Sequence, residues 1–272
     1  MKRSDKSKFI ICEKKKLHKK NQYLGVIYFN RPEEMNPLGG DTILLLKSAL
    51  EDMSKNDKIR VIALTGKGKA FSAGGDLKAY QKLQRNEIEW KNYLEEFHSF
   101  CRQIEEIRKP VIALINGFSV AGGTELLLSC DFAYASESAR IGDGHLNFGQ
   151  MGGGGVLGRV CRRIHPQRAR ELLFSGKLLT AQEALEWGLV NKVVPHDKLI
   201  DAALELANNI SKKSPLALGN MKEILNQSLR MREEDALLLE RWATRHYCAT
   251  SYDAQEGITA FAEKREAKYK GR

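Results

Sequence analysis

The chain has 272 residues, of which 42% are hydrophobic and 29% charged, and its formal net charge is +10. Fibrous and disulfide-scaffold proteins are excluded, because the glycines follow no period and the five cysteines are scattered without metal-ligand spacing. No apolar run reaches the ~20 residues that a membrane span requires. We therefore expect a soluble cytoplasmic protein with reduced thiols, no metal and no membrane partner.

Most of the excess positive charge lies early in the sequence. Residues 2–20 contain nine Lys or Arg residues but only two acidic ones. The runs Phe9–Cys12 and Leu24–Phe29 predict strands, and Lys14–Asn21 between them predicts a solvated hairpin loop. No Phe, Tyr or Trp interrupts the lysines of this loop, although stacking on single-stranded nucleic acid would require such residues. Binding of RNA is therefore a remote alternative, and nucleic acid is not an expected partner.

Beyond this hairpin, strands alternate with helices. Four short apolar runs predict buried strands: Val61–Thr65, Val111–Ile115, Asp131–Ala135 and Leu189–Val194. Apolar residues at three- and four-residue spacing predict helices over Ile43–Met53 and Leu94–Ile107. After about residue 200 the pattern is helical. We therefore predict an α/β core over residues 1–200 and a helical region over residues 201–272.

Two glycine-containing turns follow predicted strands. The first is Ala70–Lys78 (AFSAGGDLK), and the second is Asn116–Glu125 (NGFSVAGGTE), which also opens a helix. Both offer main-chain N–H groups that secondary structure leaves unpaired. Two such loops side by side would direct two donors at one oxygen and form an oxyanion hole. The alternative is that both are tight turns that simply require glycine. Neither turn has the spacing of a P-loop or of a dinucleotide-binding loop.

Five segments carry a resemblance to a known family. In order along the chain they are Asn30–Asn36 (NRPEEMN), Ala70–Asp76 (AFSAGGD), Lys109–Ala113 (KPVIA), Asn116–Glu125 and Glu256–Arg265 (EGITAFAEKR). With their order and spacing they resemble the crotonase (enoyl-CoA hydratase/isomerase) superfamily. The resemblance implies a spiral of repeated ββα units with a C-terminal helical region that builds a homotrimer or a dimer of trimers. It also implies an acyl-CoA substrate whose coenzyme A is part of the substrate, with no separate cofactor.

The resemblance also assigns roles to individual residues. The N–H groups of Ala73 and Gly122 match the two oxyanion-hole donors of the family. Glu125 matches one of the two catalytic glutamates of the hydratases, and it lies three residues after Gly122 on the same helical face. The positions that match contacts to coenzyme A, the last two commonly from a neighbouring subunit, are Ala73, Gly74, Gly75, Asp76, Leu77, Lys78, Phe261 and Lys264.

The chain departs from the family pattern at the second glutamate. Counting without gaps places His145 there, in the sequence Ile141–Leu146 (IGDGHL). A histidine transfers protons near neutral pH, and Asp143, two residues earlier, would lie on the same side of an extended backbone. Three interpretations stay open: an Asp143–His145 pair that assists Glu125, Asp143 as the acid after a shift in register, or a loop histidine held by local hydrogen bonds.

These residues predict a lyase that hydrates an α,β-unsaturated acyl-CoA, or dehydrates the product, through a thioester enolate. Isomerisation is disfavoured, because the related isomerases keep an acid at the position of His145. The open alternative is a decarboxylase, hydrolase or C–C-cleaving enzyme that acts on a cyclic or branched acyl-CoA. A structural relative without activity is a further alternative, and the retention of Glu125 and of both glycine turns speaks against it.

Overall fold

A computed structural model describes residues 6–272 of the chain. The strands are β1 Ile10–Lys16, β2 Tyr23–Phe29, β3 Ile59–Gly66, β4 Ala70–Ser72, β5 Val111–Ile115, β6 Phe118–Val120, β7 Phe132–Ser136, β8 Arg140–Gly142, β9 Leu179–Thr180 and β10 Lys192–Val194. The helices are α1 Gly40–Lys55, α2 Leu77–Leu83, α3 Glu87–Glu106, α4 Gly122–Ser129, α5 Val156–Arg159, α6 Pro166–Ser175, α7 Ala181–Trp187, α8 Leu199–Ser211, α9 Pro215–Ser228, α10 Glu233–Thr250 and α11 Tyr252–Ala262. None of the helices in this part of the chain is long and apolar enough to cross a membrane.

The strands form two sheets. The larger has the order β1-β2-β3-β5-β7-β10, with β1 antiparallel to β2 and all other neighbours parallel. The smaller has the order β4-β6-β8-β9, with only β9 antiparallel to its neighbour. The successive pairs β3–β4, β5–β6 and β7–β8 each give one strand to each sheet. The predicted α/β spiral of repeated ββα units is confirmed.

The hairpin at the start of the fold differs from its prediction in one respect. Strand β1 continues through Lys14–Lys16, which pair with residues 23–25 of β2, so only residues 17–22 form the turn. Leu17 is buried in the core, and its N–H donates to the carbonyl oxygen of Gln22 at 2.9 Å. The apolar anchor at Leu17 explains why the strand extends further than the lysine run suggested.

The apolar core lies on both faces of the larger sheet. Helices α1 and α3 cover one face, where Ile43, Leu50 and Phe100 are fully buried. Helix α8 covers the other face, where Ala203 packs with Val61 and the other strand residues of a second cluster. The strands are therefore apolar on both sides, as is typical of parallel sheets.

Helix α9 is attached to this core by a buried lysine. Lys222 is 8% exposed, and its ammonium group donates to the carbonyl oxygens of Ile104 and Lys109 at 2.9 and 3.1 Å. It also forms an ion pair of 2.8 Å with Asp131, whose carboxylate accepts the N–H of Val111. These contacts fix the C-terminal helices against the end of α3 and the start of β5.

Candidate active site

The two glycine turns meet at one end of the smaller sheet. Strands β4 and β6 are parallel neighbours, so the loops that follow their carboxyl ends lie side by side. Gly74 has φ +96°, and a Cβ atom built on it would lie 2.8 Å from the Cβ of Ala121 and 3.2 Å from the amide nitrogen of Gly122. Only glycine permits this approach. The predicted juxtaposition of the loops is therefore present.

The amide of Ala73 is not the donor that the resemblance suggested. Its N–H donates to the carbonyl oxygen of Met35 at 2.9 Å, which leaves nothing to offer a ligand. Two other amides at this junction, those of Gly75 and Gly122, have no acceptor among residues 6–272, and both glycines line the cleft between the loops. Sequence reasoning missed Gly75 as a donor, because the pairing of Ala73 depends on a residue 38 positions away.

Glu125 lies on the first turn of α4 and is 2% exposed. One of its carboxylate oxygens, Oε1, accepts the N–H groups of Gly154 and Val156 at 2.7 and 3.2 Å. Burial raises the pKa of this carboxyl, while the charge of His145 and the two amide donors partly offset the effect. The result is a fixed carboxylate with a strengthened affinity for a proton, facing the cleft.

Asp143 and His145 form a hydrogen-bonded pair beside Glu125. Oδ1 of Asp143 lies 2.8 Å from Nδ1 of His145. Burial lowers the pKa of the imidazole, but the hydrogen bond and charge of Asp143, together with the charge of Glu125, outweigh this, so the pKa of His145 is raised overall. The prediction of an extended backbone between the two residues is wrong. Gly144 has φ +64°, and His145 begins a 3₁₀ turn. The N–H of His145 donates to the other carboxylate oxygen of Asp143, Oδ2, at 3.4 Å.

The carboxylate of Glu125 and the imidazole of His145 both lie close to Gly152. A Cβ atom on Gly152 would lie 3.1 Å from Oε1 of Glu125 and 3.4 Å from Cε1 of His145. A Cβ on Gly154 would lie 2.3 Å from the ring of Phe97 and 2.8 Å from Oε2 of Glu125. Glycine at positions 152 and 154 therefore leaves room for the side chains of Glu125 and His145 beside the cleft.

The remaining predicted contact residues occupy two separate places. Asp76 caps α2 by accepting the N–H of Ala79 at 3.2 Å and faces Arg31 at 3.4 Å, and Leu77 next to it is half exposed and lines the cleft. Gly74 and Lys78 lie in the same segment. In contrast, Phe261, which is 87% exposed, and Lys264 lie in or just after α11 and do not line the cleft of their own chain.

Four aromatic residues that the sequence did not single out form one wall of the cleft: Tyr80, Trp90, Tyr93 and Phe97. Trp90 and Tyr93 are stacked with centroids 5.5 Å apart, and Tyr80 packs edge-on against both rings. The spacing of 90, 93 and 97 on α3 would indicate a shared helical face. It does not indicate whether that face borders a core or a cavity.

Comparison with known proteins places these features in a family. Residues 19–272 match the family model described as enoyl-CoA hydratase/isomerase. A crotonyl-CoA hydratase of Syntrophomonas wolfei is 36% identical over 92% of this chain and 95% of its own length. A mitochondrial enoyl-CoA hydratase of Pongo abelii is 34% identical over 96% of this chain and 88% of its own. The crystal structure of an enoyl-CoA hydratase from Bacillus anthracis, 35% identical, superposes with a TM-score of 0.90 over 97% of this chain and 100% of that one. The chain therefore belongs to the enoyl-CoA hydratase/isomerase family.

Proposed function

We propose that this protein hydrates an α,β-unsaturated acyl-CoA and, in reverse, dehydrates the product. The observation that carries the proposal is that Glu125 and His145 both lie within 3.4 Å of the Cβ position of Gly152 and line a cleft that also exposes two amide donors. The names of the related hydratases support the same reaction. No cofactor is required beyond the coenzyme A that the substrate carries.

The two amides act on the thioester carbonyl. The N–H groups of Gly75 and Gly122 donate to its oxygen, on which negative charge develops as the thioester becomes an enolate. Preorganised donors of this kind typically stabilise the transition state by about 3 kcal/mol each. The N-terminal end of α4 adds its positive partial charge at Gly122. This part of the site stabilises the enolate, while the side chains move the protons.

Glu125 and His145 then divide the proton transfers. Glu125 removes a proton from a water molecule, whose oxygen bonds to the β-carbon of the substrate. The electron pair of the double bond moves onto the thioester oxygen, and the enolate collapses as the imidazolium of His145 delivers its proton to the α-carbon. Asp143 keeps the imidazole oriented and charged. One water is consumed, and the proton gained by Glu125 returns to His145 before the next turnover.

The direct test is the loss of enoyl-thioester absorbance when the purified protein is mixed with crotonyl-CoA. Glu125→Gln retains the size of the side chain and an acceptor for both amides but removes the base, so we expect hydration to fall by about 10²–10⁴-fold. Glu51→Gln, on the exposed face of α1, is the matched control and leaves the rate unchanged. A Glu125→Gln variant that hydrates as fast as the unaltered protein contradicts the mechanism.

A second candidate reaction uses the same groups on a different atom. An imidazole oriented by a carboxylate at 2.8 Å is also the arrangement that activates water toward a carbonyl carbon. Attack there cleaves the thioester of a cyclic or branched acyl-CoA, and the same oxyanion hole supports decarboxylation or C–C cleavage of such substrates. Release of free coenzyme A, followed with a thiol reagent, separates hydrolysis from hydration.

We propose in addition that the chain assembles as a homotrimer or dimer of trimers through its C-terminal helices. Several large apolar side chains on α9, α10 and α11 are half exposed or more: Met221, Leu225, Leu238, Trp242 and Ile258. An apolar surface of this kind is typical of a subunit interface. In such an assembly Phe261 and Lys264 would contact the coenzyme A bound by a neighbouring subunit. Light scattering coupled to gel filtration measures the mass of the assembly, and a monomer contradicts the proposal.

A further inference from the structure

The loop between β4 and α2, residues 73–76, carries two adjacent glycines, Gly74 and Gly75. Glycine restricts the backbone less than any other residue, so the direction of the Gly75 N–H depends on what holds the loop from outside. Leu38 pairs with Gly75 in an isolated parallel bridge and donates its own N–H to the carbonyl oxygen of Gly74 at 2.8 Å. In this pairing Gly75 lies opposite Leu38 and turns its N–H away from it. The position of Leu38 therefore sets the direction of the Gly75 amide.

Two tyrosine hydroxyls in turn hold Leu38. The hydroxyl of Tyr93 donates to the carbonyl oxygen of Leu38 at 2.8 Å. Because this bond uses the only proton of that hydroxyl, the hydroxyl of Tyr80, 2.7 Å away, donates to Tyr93. Burial raises the pKa of Tyr80 to about 12 and also raises the pKa of Tyr93, so both hydroxyls keep the protons that they donate. The ring of Tyr93 is itself fixed, since it is stacked with Trp90 and with Phe97.

Tyr80 also packs directly on the loop. A Cβ atom built on Gly75 would lie 1.9 Å from the hydroxyl oxygen of Tyr80, so this hydroxyl lies against the Cα of Gly75. Tyr80 belongs to α2, which begins immediately after the loop with Asp76 as its cap. The hydroxyl pair of Tyr80 and Tyr93 therefore supports the loop at two points, through Leu38 and against Gly75 itself.

We propose that Tyr93 and Tyr80 are positioning residues of the oxyanion hole. Their linked hydroxyls hold Leu38 and Gly75, so that the amide of Gly75 points at the thioester oxygen together with that of Gly122. They act on the reaction through the backbone of the loop rather than by contact with the thioester. The proposal rests on the function proposed above, in which the two amides stabilise a thioester enolate.

Loss of one hydroxyl misaligns the Gly75 donor without removing it. Removal of a whole oxyanion-hole donor typically lowers kcat by about 10²–10³-fold, so for Tyr93→Phe we expect crotonyl-CoA hydration to slow by about tenfold. In Tyr80→Phe the bond from Tyr93 to Leu38 remains, and we expect a smaller decrease. The affinity for butyryl-CoA falls by a smaller factor than kcat in both variants, because hydrogen bonds to a charged oxygen are roughly twice as strong as those to a neutral one.

The direct readout is the ionisation of acetoacetyl-CoA bound in the cleft. Its α-carbon lies between two carbonyl groups and loses a proton at accessible pH, and the enolate is followed by its ultraviolet absorbance. Donors aimed at the thioester oxygen favour the enolate, so the pH at which half of the bound thioester is ionised measures the oxyanion hole without any hydration step. A tenfold loss of enolate stabilisation raises this midpoint by about one pH unit. We expect that rise in Tyr93→Phe and a smaller one in Tyr80→Phe.

Tyr134→Phe is the matched control. Tyr134 lies on β7 with Lys192 against its ring, does not line the cleft, and its replacement leaves kcat and the midpoint unchanged. Denaturant unfolding of the three variants separates positioning from stability. A Tyr93→Phe variant that is less stable but keeps both kcat and the midpoint overturns the proposal. If Tyr93→Phe does not fold, Tyr80→Phe decides in its place: a raised midpoint supports the proposal and an unchanged one overturns it.

The behaviour of the unaltered protein separates this proposal from the reaction on which it rests. If the protein does not favour the enolate of acetoacetyl-CoA over that of the free thioester, the proposal is overturned, because there is no oxyanion hole for the tyrosines to position. If the enolate is favoured and Tyr93→Phe raises the midpoint, but crotonyl-CoA is not hydrated, the positioning role is retained and only the reaction is rejected.

Discussion

Replacing Asp143 by Asn tests whether the Asp143–His145 pair does the work of a second carboxylate. The substitution retains the size of the side chain and an oxygen that can accept from Nδ1 of His145. It removes the negative charge 2.8 Å from the imidazole. The geometry of the site is thus preserved, while the electrostatic support of the imidazolium is lost.

The magnitude follows from the burial of the pair. Asp143 is 3% exposed, so solvent does little to screen its charge. A hydrogen bond to a charged group contributes about 1.5–3 kcal/mol where a neutral one contributes about 1. Loss of the charge with retention of a neutral hydrogen bond therefore destabilises the imidazolium by about 0.5–2 kcal/mol, which lowers the fraction of His145 that carries the proton for the α-carbon. We expect kcat near neutral pH to fall by about two- to thirtyfold in Asp143→Asn.

The pH dependence separates this role from a merely structural one. The mechanism requires ionised Glu125 and protonated His145, so kcat falls at low pH as Glu125 gains a proton and at high pH as His145 loses one. The pKa of His145 is raised because the hydrogen bond and charge of Asp143 outweigh burial, which acts in the opposite direction. Without the charge of Asp143, the effect of burial dominates and the pKa of His145 falls. The decrease of kcat at high pH (the alkaline limb of the profile) then begins at a lower pH.

The assay is the rate of crotonyl-CoA hydration measured across pH for the unaltered protein and Asp143→Asn. Asp52→Asn is the control, because Asp52 lies on the exposed face of α1 and its variant keeps both the rate and the profile. An Asp143→Asn variant with an unchanged alkaline limb and nearly full activity would refute the reasoning. His145 would then act without its carboxylate partner, or would not be the acid.

Three further predictions concern glycine and lysine positions. In Gly75→Ala the new methyl group meets the hydroxyl of Tyr80, 1.9 Å from the ideal Cβ, so the loop shifts and the rate of hydration falls about 10²-fold or more, whereas Gly158→Ala, with open space around it, retains activity. In Gly154→Ala the methyl group meets the ring of Phe97 and Oε2 of Glu125, 2.3 and 2.8 Å from the ideal Cβ, so both groups shift, and kcat for crotonyl-CoA falls by a larger factor than the affinity for butyryl-CoA measured by titration. In Lys222→Met the buried partner of Asp131 is lost, and denaturant unfolding shows a loss of about 3 kcal/mol in the free energy of unfolding.

The sequence predicts those parts of the site that depend on local chain geometry. Gly122 and Glu125 are three residues apart on one helical turn, so their common face follows from helical periodicity alone. The two glycine turns follow strands, and parallel neighbouring strands bring such turns together. The Asp143–His145 pairing was also inferred, although from an extended backbone, while the structure forms it around Gly144 in a left-handed conformation.

The parts that sequence reasoning missed depend on contacts between distant residues. Whether the amide of Ala73 or that of Gly75 is free is decided by Met35, whose carbonyl oxygen lies in the segment between β2 and α1. The aromatic wall is similar in kind, because the hydroxyl of Tyr80 on α2 bonds directly to the hydroxyl of Tyr93 on α3, which in turn donates to the carbonyl oxygen of Leu38. Hydrogen bonds between such distant residues leave no periodic pattern in the sequence from which they could be predicted.

The exchange of a glutamate for His145 is compatible with the same chemistry because the charge of the site is conserved. Two glutamates that share one proton, as the family resemblance implies for the usual hydratases, carry a net charge of −1. Ionised Glu125 and Asp143 together with protonated His145 also carry −1. The acid that protonates the α-carbon changes from a carboxylic acid to an imidazolium. The negative charge of Asp143 compensates the positive charge of this imidazolium, so the net charge of the site stays at −1. Under the proposed mechanism, hydration by this chain uses both residues of the pair, where the family pattern implied by the resemblance uses one glutamate.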